Sequence, residues 1–206
     1  KFFSNSENQI EFTGGFGYKI PIGKHEQRNE NGILLPIDIQ PSSGASGYIG
    51  TLFFYKGFIQ KKLRFFITSR VQVNPYDVVF KEIVPTKYYR FGNFYTVSLF
   101  SSFSISHRWN LILQGRYEYR DHDIYKLKGA SDYRIYESSG GKKIFAIPQL
   151  VFEIRQGFNA SAMFDIPLYQ YYNQKQLATA YAGTLTLSKS FDFSKTGKKI
   201  AENEIK

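Results

Sequence analysis

Charged side chains recur at every second position in several segments of this 206-residue sequence. In the clearest segment, Arg116, Glu118 and Arg120 alternate with Tyr117 and Tyr119. A β-strand points successive side chains to opposite faces, so the three charges share one face and the two rings share the other. Such a charged face can line a constriction that selects polar or anionic solutes. It can also form cross-strand ion pairs that brace a filled interior, because a buried charge is costly unless it is paired.

The same criterion, an ionic side chain on the polar face of an alternating segment, selects the candidate site residues. They are Glu11, Lys19, Arg64, Arg70, Arg116, Glu118, Arg120, Glu153, Asp165 and Asp192. We interpret them as residues that line a lumen and influence its selectivity, with the bracing ion pairs as the alternative.

Residues that could carry catalysis or bind a metal do not cluster. His25, His107 and His122 are dispersed along the chain, whereas a metal site needs ligands close together. The chain has no cysteine, which excludes disulfides and thiolate ligands. No Gly-x-Ser-x-Gly motif of a serine hydrolase occurs, and the Gly-Ala-Ser-Gly at 44–47 has the wrong spacing. We therefore predict a protein that is not an enzyme and has no metal or cofactor.

The elements that position the charges are predicted β-strands. Eight segments alternate apolar and polar residues, at 9–20, 47–58, 62–74, 91–106, 109–120, 143–155, 158–170 and 177–193. Segments of this length can cross a bilayer at a tilt, and no run approaches the ~18 apolar residues of a membrane helix. The chain is 42% hydrophobic and 18% aromatic, as expected for strands with one face toward lipid. These patterns predict an all-β fold, a transmembrane antiparallel up-and-down β-barrel with about eight strands in this chain.

Short and long connections alternate between these segments. The short ones lie at 59–61, 107–108 and 155–157, and the long ones at 21–46, 75–90, 122–142 and 171–176. This asymmetry is typical of bacterial outer-membrane barrels, with short turns in the periplasm and long loops outside. We predict one barrel domain over 1–193 and a basic periplasmic tail over 194–206, whose polar composition predicts disorder.

A soluble sandwich or a lipocalin-like barrel is the alternative fold, with the apolar faces as its core. Small residues on the polar faces of 91–106 and 177–193, mostly Ser, Thr and Ala, fit a crowded barrel interior better than a solvated surface. The net charge of +10 is spread over loops, strands and tail without a nucleic-acid motif. Outer-membrane lipid and a small solute are therefore the predicted partners, and nucleic acid is not.

Two glycine- and proline-containing segments carry a resemblance to a known family. Residues 14–23 read GGFGYKIPIG, and after a polar loop come Leu-Pro at 35–36 and QPSSGASG at 40–47. Together with HRWN at 107–110 and PLYQ at 167–170, they resemble the outer-membrane transporter family related to the meta-pathway phenol-degradation barrels, in its Bacteroidota form. Ile22 and Ser42 stand where that family has Thr and Gly. The similarity spans most of the chain, from 9 to 193.

The resemblance implies a porin-like outer-membrane β-barrel of a Gram-negative bacterium. Its implied function is that of a channel or transporter with a charged lumen for small solutes. The resemblance implies no catalytic residues in this chain. Family members have additional strands ahead of this region, which implies about twelve strands in the intact protein. The alternative is a non-conducting accessory or structural barrel in a larger outer-membrane complex, with other envelope proteins as partners.

Overall fold

A computed structural model of the chain describes residues 1–24, 26–33, 35, 40–76, 86–127 and 129–191. The main sheet has nine strands in the order β1-β2-β3-β4-β6-β7-β10-β11-β12. They are β1 (Phe3–Asn5), β2 (Ile10–Lys19), β3 (Gly47–Phe58), β4 (Leu63–Val73), β6 (Phe94–Ser104), β7 (Trp109–Arg120), β10 (Gly141–Arg155), β11 (Phe158–Tyr172) and β12 (Ala182–Lys189). Every neighbouring pair is antiparallel.

The predicted all-β, antiparallel, up-and-down fold is confirmed. Each of the eight predicted segments overlaps one strand of the main sheet, and β3 and β7 have the predicted bounds. Strand β10 begins two residues before its predicted segment, and β11 ends two residues after its own. The predicted segment 177–193 contains the shorter strand β12, and its last two residues lie outside the described part of the chain. The predicted tail, 194–206, also lies outside it. No helix in the described ranges is both long and apolar enough to cross a membrane.

A second, three-stranded sheet corrects the prediction that 75–90 and 122–142 are only connections. It has the order β5-β8-β9, with β5 at Thr86–Arg90, β8 at Asp123–Leu127 and β9 at Arg134–Tyr136. These strands have five, five and three residues. Alternation over so few residues is too weak a signal, and β5 finds its partner β8 more than thirty residues later.

The connections differ in length at the two rims of the main sheet. A connection with a 3-10 turn at Ile59–Lys61 joins β3 to β4, and short links of four and two residues join β6 to β7 and β10 to β11. We call this end the short-turn rim. The other end, the long-loop rim, carries the connections of β2 to β3, β4 to β6, β7 to β10 and β11 to β12. The small sheet belongs to two of these long connections.

The two faces of the main sheet are exposed in the opposite sense to those of a water-soluble protein. On β7 the apolar side chains of Leu113 and Tyr117 are 51% and 40% exposed. On the other face, the side chains of Arg116 and Glu118 are only 24% and 19% exposed. We call these the outward face and the sheltered face. A soluble sandwich would bury the apolar face in its core.

The sheltered face is not uniformly polar. Phe66 lies beside Phe53, Tyr55 and Phe100, with ring centroids 6.1, 5.3 and 6.4 Å away. In the middle of β3 both faces are apolar, because Leu52 and Phe54 lie on the outward face and Phe53 lies on the sheltered face. The Phe53 ring therefore adds to this aromatic layer. Aromatic rings in this arrangement attract one another beyond their hydrophobic burial.

A β-bulge in β11 keeps polar side chains on the sheltered face. Ile144 pairs with Tyr169 while Phe145 pairs with Pro167, which leaves Leu168 as the additional residue. Leu168 and Tyr169 are both exposed, at 65% and 50%. The extra residue shifts the alternation by one position, so strict alternation does not hold along the whole of β11.

Candidate functional site

The middle of the sheltered face holds a three-residue ion cluster. The Arg116 Nη2 donates to the Asp165 Oδ2 at 2.7 Å. The Arg116 Nε lies 2.9 Å from the Glu118 Oε1, an ion pair at an angle too poor for a hydrogen bond. We call Arg116, Glu118 and Asp165 the central cluster. Three of the predicted site residues therefore meet in space.

The sheet positions this cluster through its register. Arg116 and Glu118 are two residues apart on β7 and share a face, whereas Asp165 is on β11, beyond the intervening strand β10. Phe145 of β10 pairs with Arg116, and its ring centroid lies 4.6 Å from the guanidinium carbon. Phe145 and Ile147 are only 2% and 1% exposed. The Phe145 ring is the apolar support on which the guanidinium lies.

Chemically, this arrangement is a set of ion pairs that holds β7 and β11 together across β10. One guanidinium faces two carboxylates, so each charge is paired across or along strands, as the ion-pair alternative expects. Charges that are more than three-quarters covered gain more from pairing than exposed ones, because less water screens them. Replacing Arg116 would leave both carboxylates without their cation, whereas replacing either carboxylate would leave the guanidinium paired with the other.

A second ionic centre lies at the long-loop rim and includes a residue that the sequence analysis missed. The Arg120 Nη2 lies 3.0 Å from the Asp123 Oδ1. Asp123 is 3% exposed and also accepts the Tyr89 hydroxyl at 2.6 Å and the Gly92 backbone N–H at 2.7 Å. Its own backbone N–H donates to the Ser139 hydroxyl at 2.8 Å. Asp123 therefore fastens the small sheet to the end of β7.

Local chain geometry makes this anchor possible. A side chain at Gly92 would collide with the backbone carbonyl of Asp121, so the close approach of the two loops requires glycine. Burial, followed by the neighbouring Asp123 carboxylate, raises the pKa of the Tyr89 hydroxyl well above its ordinary value. Tyr89 therefore stays protonated and remains a hydrogen-bond donor to Asp123.

Near the same rim, Lys19 lines a cavity of about 340 Å³, and Arg70 contacts one of the other lining residues, Gln72. The Lys19 Nζ donates to the Ser43 hydroxyl at 2.8 Å. The Arg70 Nη2 donates to the Gln72 Oε1 at 3.2 Å, and the Gln72 amide donates to the Asn74 Oδ1 at 2.9 Å. Lys19, Gln72 and Asn74 line the cavity, together with Ser43, Phe91, Gly92, Phe94 and Arg120.

The other predicted site residues lie apart from these groups. Glu11 forms an ion pair with Lys1 at 3.0 Å. Arg64 is exposed near the short-turn rim, where it pairs in register with Ser102. Glu153 lies toward the same rim on β10.

Asp192 and His25 lie outside the described residues. Within the described residues, no group of three or more His, Cys, Asp or Glu side chains could hold a metal ion.

The residues that sequence reasoning missed were hidden for identifiable reasons. Asp123 is the first residue of β8, in a segment that was predicted to be a connection, although Asp-Ile-Tyr-Lys-Leu at 123–127 alternates briefly. Phe145 and Ile147 occupy polar-face positions of β10. Residues 144–147 are all apolar, so the local sequence does not distinguish the two faces there. The signal that could have revealed them is their even-numbered spacing from Gln149 and Glu153, which places all four side chains on the same face of the strand.

No protein-family model matches this sequence, and no curated protein is significantly similar to it.

Proposed function

We propose that this chain forms the wall of a bacterial outer-membrane β-barrel that passes small polar solutes, and that it is a member of the transporter family it resembles. The observation that carries the proposal is the inverted exposure of the two sheet faces. Leu99 and Leu113 on adjacent strands are 56% and 51% exposed, whereas Ser98 on the other face is 3% exposed.

An apolar outward face of this extent needs a nonaqueous environment. Large apolar side chains are exposed on the outward face of every long strand from β2 to β12, for example Phe16, Leu52, Ile67, Ile144, Phe164 and Leu185. Soluble monomers rarely expose contiguous apolar patches beyond a few hundred Å². A bilayer covers such a face without cost, and a polar, sheltered opposite face is what a transmembrane barrel places in its interior.

The chemistry of the sheltered face favours a polar solute. The central cluster presents carboxylates and a guanidinium at mid-strand, and Ser98 lies beside it, accepting a hydrogen bond from Gln114 at 3.1 Å. Donors and acceptors along such a surface can replace part of a solute's hydration shell. No catalytic arrangement is needed for this role, and we propose that the protein is not an enzyme.

A second candidate function is a non-conducting accessory barrel of a larger envelope complex. The observation that favours it is the apolar filling of the sheltered face, where Phe145 and Ile147 are almost fully buried and Phe53, Phe66 and Phe100 form a layer. Small barrels are filled by their own side chains. A filled interior would leave structural support as the main role.

Single-channel recording of the intact protein in a planar bilayer tests the proposal. We expect discrete conductance steps from the native protein. Arg116→Ala leaves Glu118 and Asp165 without their cation, so selectivity should shift toward cations. A unit charge acts at close range with about 1 kcal/mol even in water, which corresponds to about fivefold in the permeability ratio.

The control is Glu137→Gln, which neutralises an exposed loop carboxylate and should leave selectivity unchanged. Unchanged selectivity in a conducting Arg116→Ala variant would contradict the lumenal role of the central cluster. Silence from protein that is demonstrably folded would instead support the accessory barrel.

A further inference from the structure

A cavity at the long-loop rim carries positive charge that no described carboxylate neutralises. It lies on the sheltered face between β2, β4 and the start of β6, with a volume of about 340 Å³. Lys19, Gln72, Asn74 and Arg120 line it, and none of its described lining residues is acidic. We call it the rim cavity. Its size matches the lower range of small-molecule pockets.

Two cations at this cavity lack an acidic partner. Among the residues that the structure describes, no ion pair involves Lys19 or Arg70. Lys19 lines the cavity, and Arg70 adjoins it through its hydrogen bond to the lining residue Gln72. Arg120 differs, because Asp123 neutralises it at 3.0 Å. A cation without an acidic partner attracts an anion, and this attraction is stronger where the site is partly shielded from water.

The central cluster shows the contrast within the same face. There the single guanidinium is shared by two carboxylates, so an anion would meet repulsion and find no unused cation. At the rim cavity the neighbours of the cations are neutral groups instead. Ser43 accepts from Lys19, and Gln72 accepts from Arg70. An ammonium group has three N–H donors and a guanidinium has five, so each cation retains donors after these bonds.

The retained donors match one class of ligand. Carboxylate and phosphate oxygens accept short, charge-assisted hydrogen bonds from ammonium and guanidinium groups. A hydrogen-bond chain holds the site in shape, since Gln72 donates to Asn74 and the Asn74 amide donates to the Gly92 carbonyl at 2.8 Å. Asn74 is only 5% exposed, which fixes this side of the cavity.

We propose that the rim cavity binds a small oxyanion, a carboxylate or phosphate group of a solute, through Lys19 and Arg70. The inference deepens the proposed function, on which it rests, by naming the charge class of the solute. The cavity is on the sheltered face at the long-loop rim, so a solute meets it before it reaches the central cluster. A lipid headgroup carries the same phosphate chemistry but contacts the outward face of a barrel.

Binding of inorganic phosphate to the intact folded protein in detergent, measured by isothermal titration calorimetry at low ionic strength, tests the inference. The native protein should show saturable binding. Lys19→Gln and Arg70→Gln should each weaken it about tenfold, the effect of losing one charge-assisted hydrogen bond. Arg108→Gln is the matched control, because it removes an exposed positive charge at the short-turn rim and should leave the affinity unchanged.

Two outcomes of this titration would overturn the inference. The first is the absence of saturable binding to the native protein. The second is an equal loss in Arg108→Gln, which would mean attraction by net charge alone. Arg70 is exposed, so Arg70→Gln remains informative if Lys19→Gln does not fold.

A second titration distinguishes a free solute that carries phosphate from a lipid headgroup. The titration is repeated in nanodiscs of phosphatidylcholine with and without phosphatidylglycerol. Equal affinities support a free solute, whereas loss of binding with the anionic lipid assigns the site to a headgroup and overturns the solute assignment.

The calorimetric readout does not depend on conduction. A silent barrel that binds phosphate would overturn the proposed channel and support the anion site. A conducting barrel that does not bind phosphate would overturn the anion site alone.

Discussion

Arg116 on β7 and Asp165 on β11 are joined by an ion pair of 2.7 Å that spans the intervening strand β10. Neighbouring strands lie about 4.8 Å apart, so the pair bridges about 10 Å of sheet. The long arginine side chain makes this reach possible, and the Phe145 ring beneath the guanidinium supports it. The pair connects three strands laterally, in addition to their backbone hydrogen bonds.

Replacing Asp165 by asparagine should lower the stability of the folded protein. Asp165→Asn keeps the shape of the side chain but removes the one of the two facing carboxylates that is hydrogen-bonded to Arg116. Hydrogen bonds to charged groups contribute about 1–3 kcal/mol. The chain has one tryptophan, Trp109 on β7, whose fluorescence reports urea unfolding. Asp132→Asn, in an exposed loop, is the control. A loss below about 0.5 kcal/mol, typical of surface changes, would contradict the bracing role.

Placing a charge on the outward face should impair insertion into lipid. Leu113→Arg puts a guanidinium in the middle of the apolar face, where transmembrane barrels lose about 2–4 kcal/mol. We expect a lower folding yield in lipid vesicles, measured by the fraction of protease-protected protein. Asn31→Arg adds the same charge to an exposed loop and should fold normally. Equal yields for both variants would count against a lipid-facing surface.

The bond from Tyr89 to Asp123 should make the small sheet sensitive to alkaline pH. The folded pKa of Tyr89 is raised above its ordinary value of about 10, so its stabilising contribution is complete below pH 10. Above that pH the unfolded chain releases the phenolic proton first, and the contribution declines.

Hydrogen exchange in β5 and β8, compared between native protein and Tyr89→Phe at matched pH, measures this effect. The native protein should be better protected below pH 10, and the difference should shrink above it. Tyr133→Phe, which changes an exposed tyrosine of the connection between β8 and β9, is the control. A difference that grows with pH would contradict the assignment.

Strand placement could be predicted because alternation is a local property. The segment 109–120 has the period of two that a half-buried strand requires, and the structure gives it the predicted bounds. Antiparallel neighbours follow from the short turns, since two or three linking residues cannot carry the chain to a distant strand. The division into an apolar and a polar face follows from the same period.

The meeting of particular charges could not be predicted in the same way. Arg116 and Asp165 are 49 residues apart, and their contact depends on the register of β7, β10 and β11 together. The bulge at Leu168 shifts one part of that register and leaves no mark in the local pattern. Asp123 depends on long-range contacts too, because its partners Tyr89 and Gly92 come from another loop, 34 and 31 residues earlier.

By itself, then, the sequence determined the strands, their faces and their up-and-down order, because these follow from side-chain alternation and connection length. The tertiary structure alone decided which ionic residues pair, which have no described acidic partner at the rim cavity, and how a second small sheet is fastened. Those outcomes depend on distances between segments remote in the chain, and a few ångströms of register decide whether two charges meet.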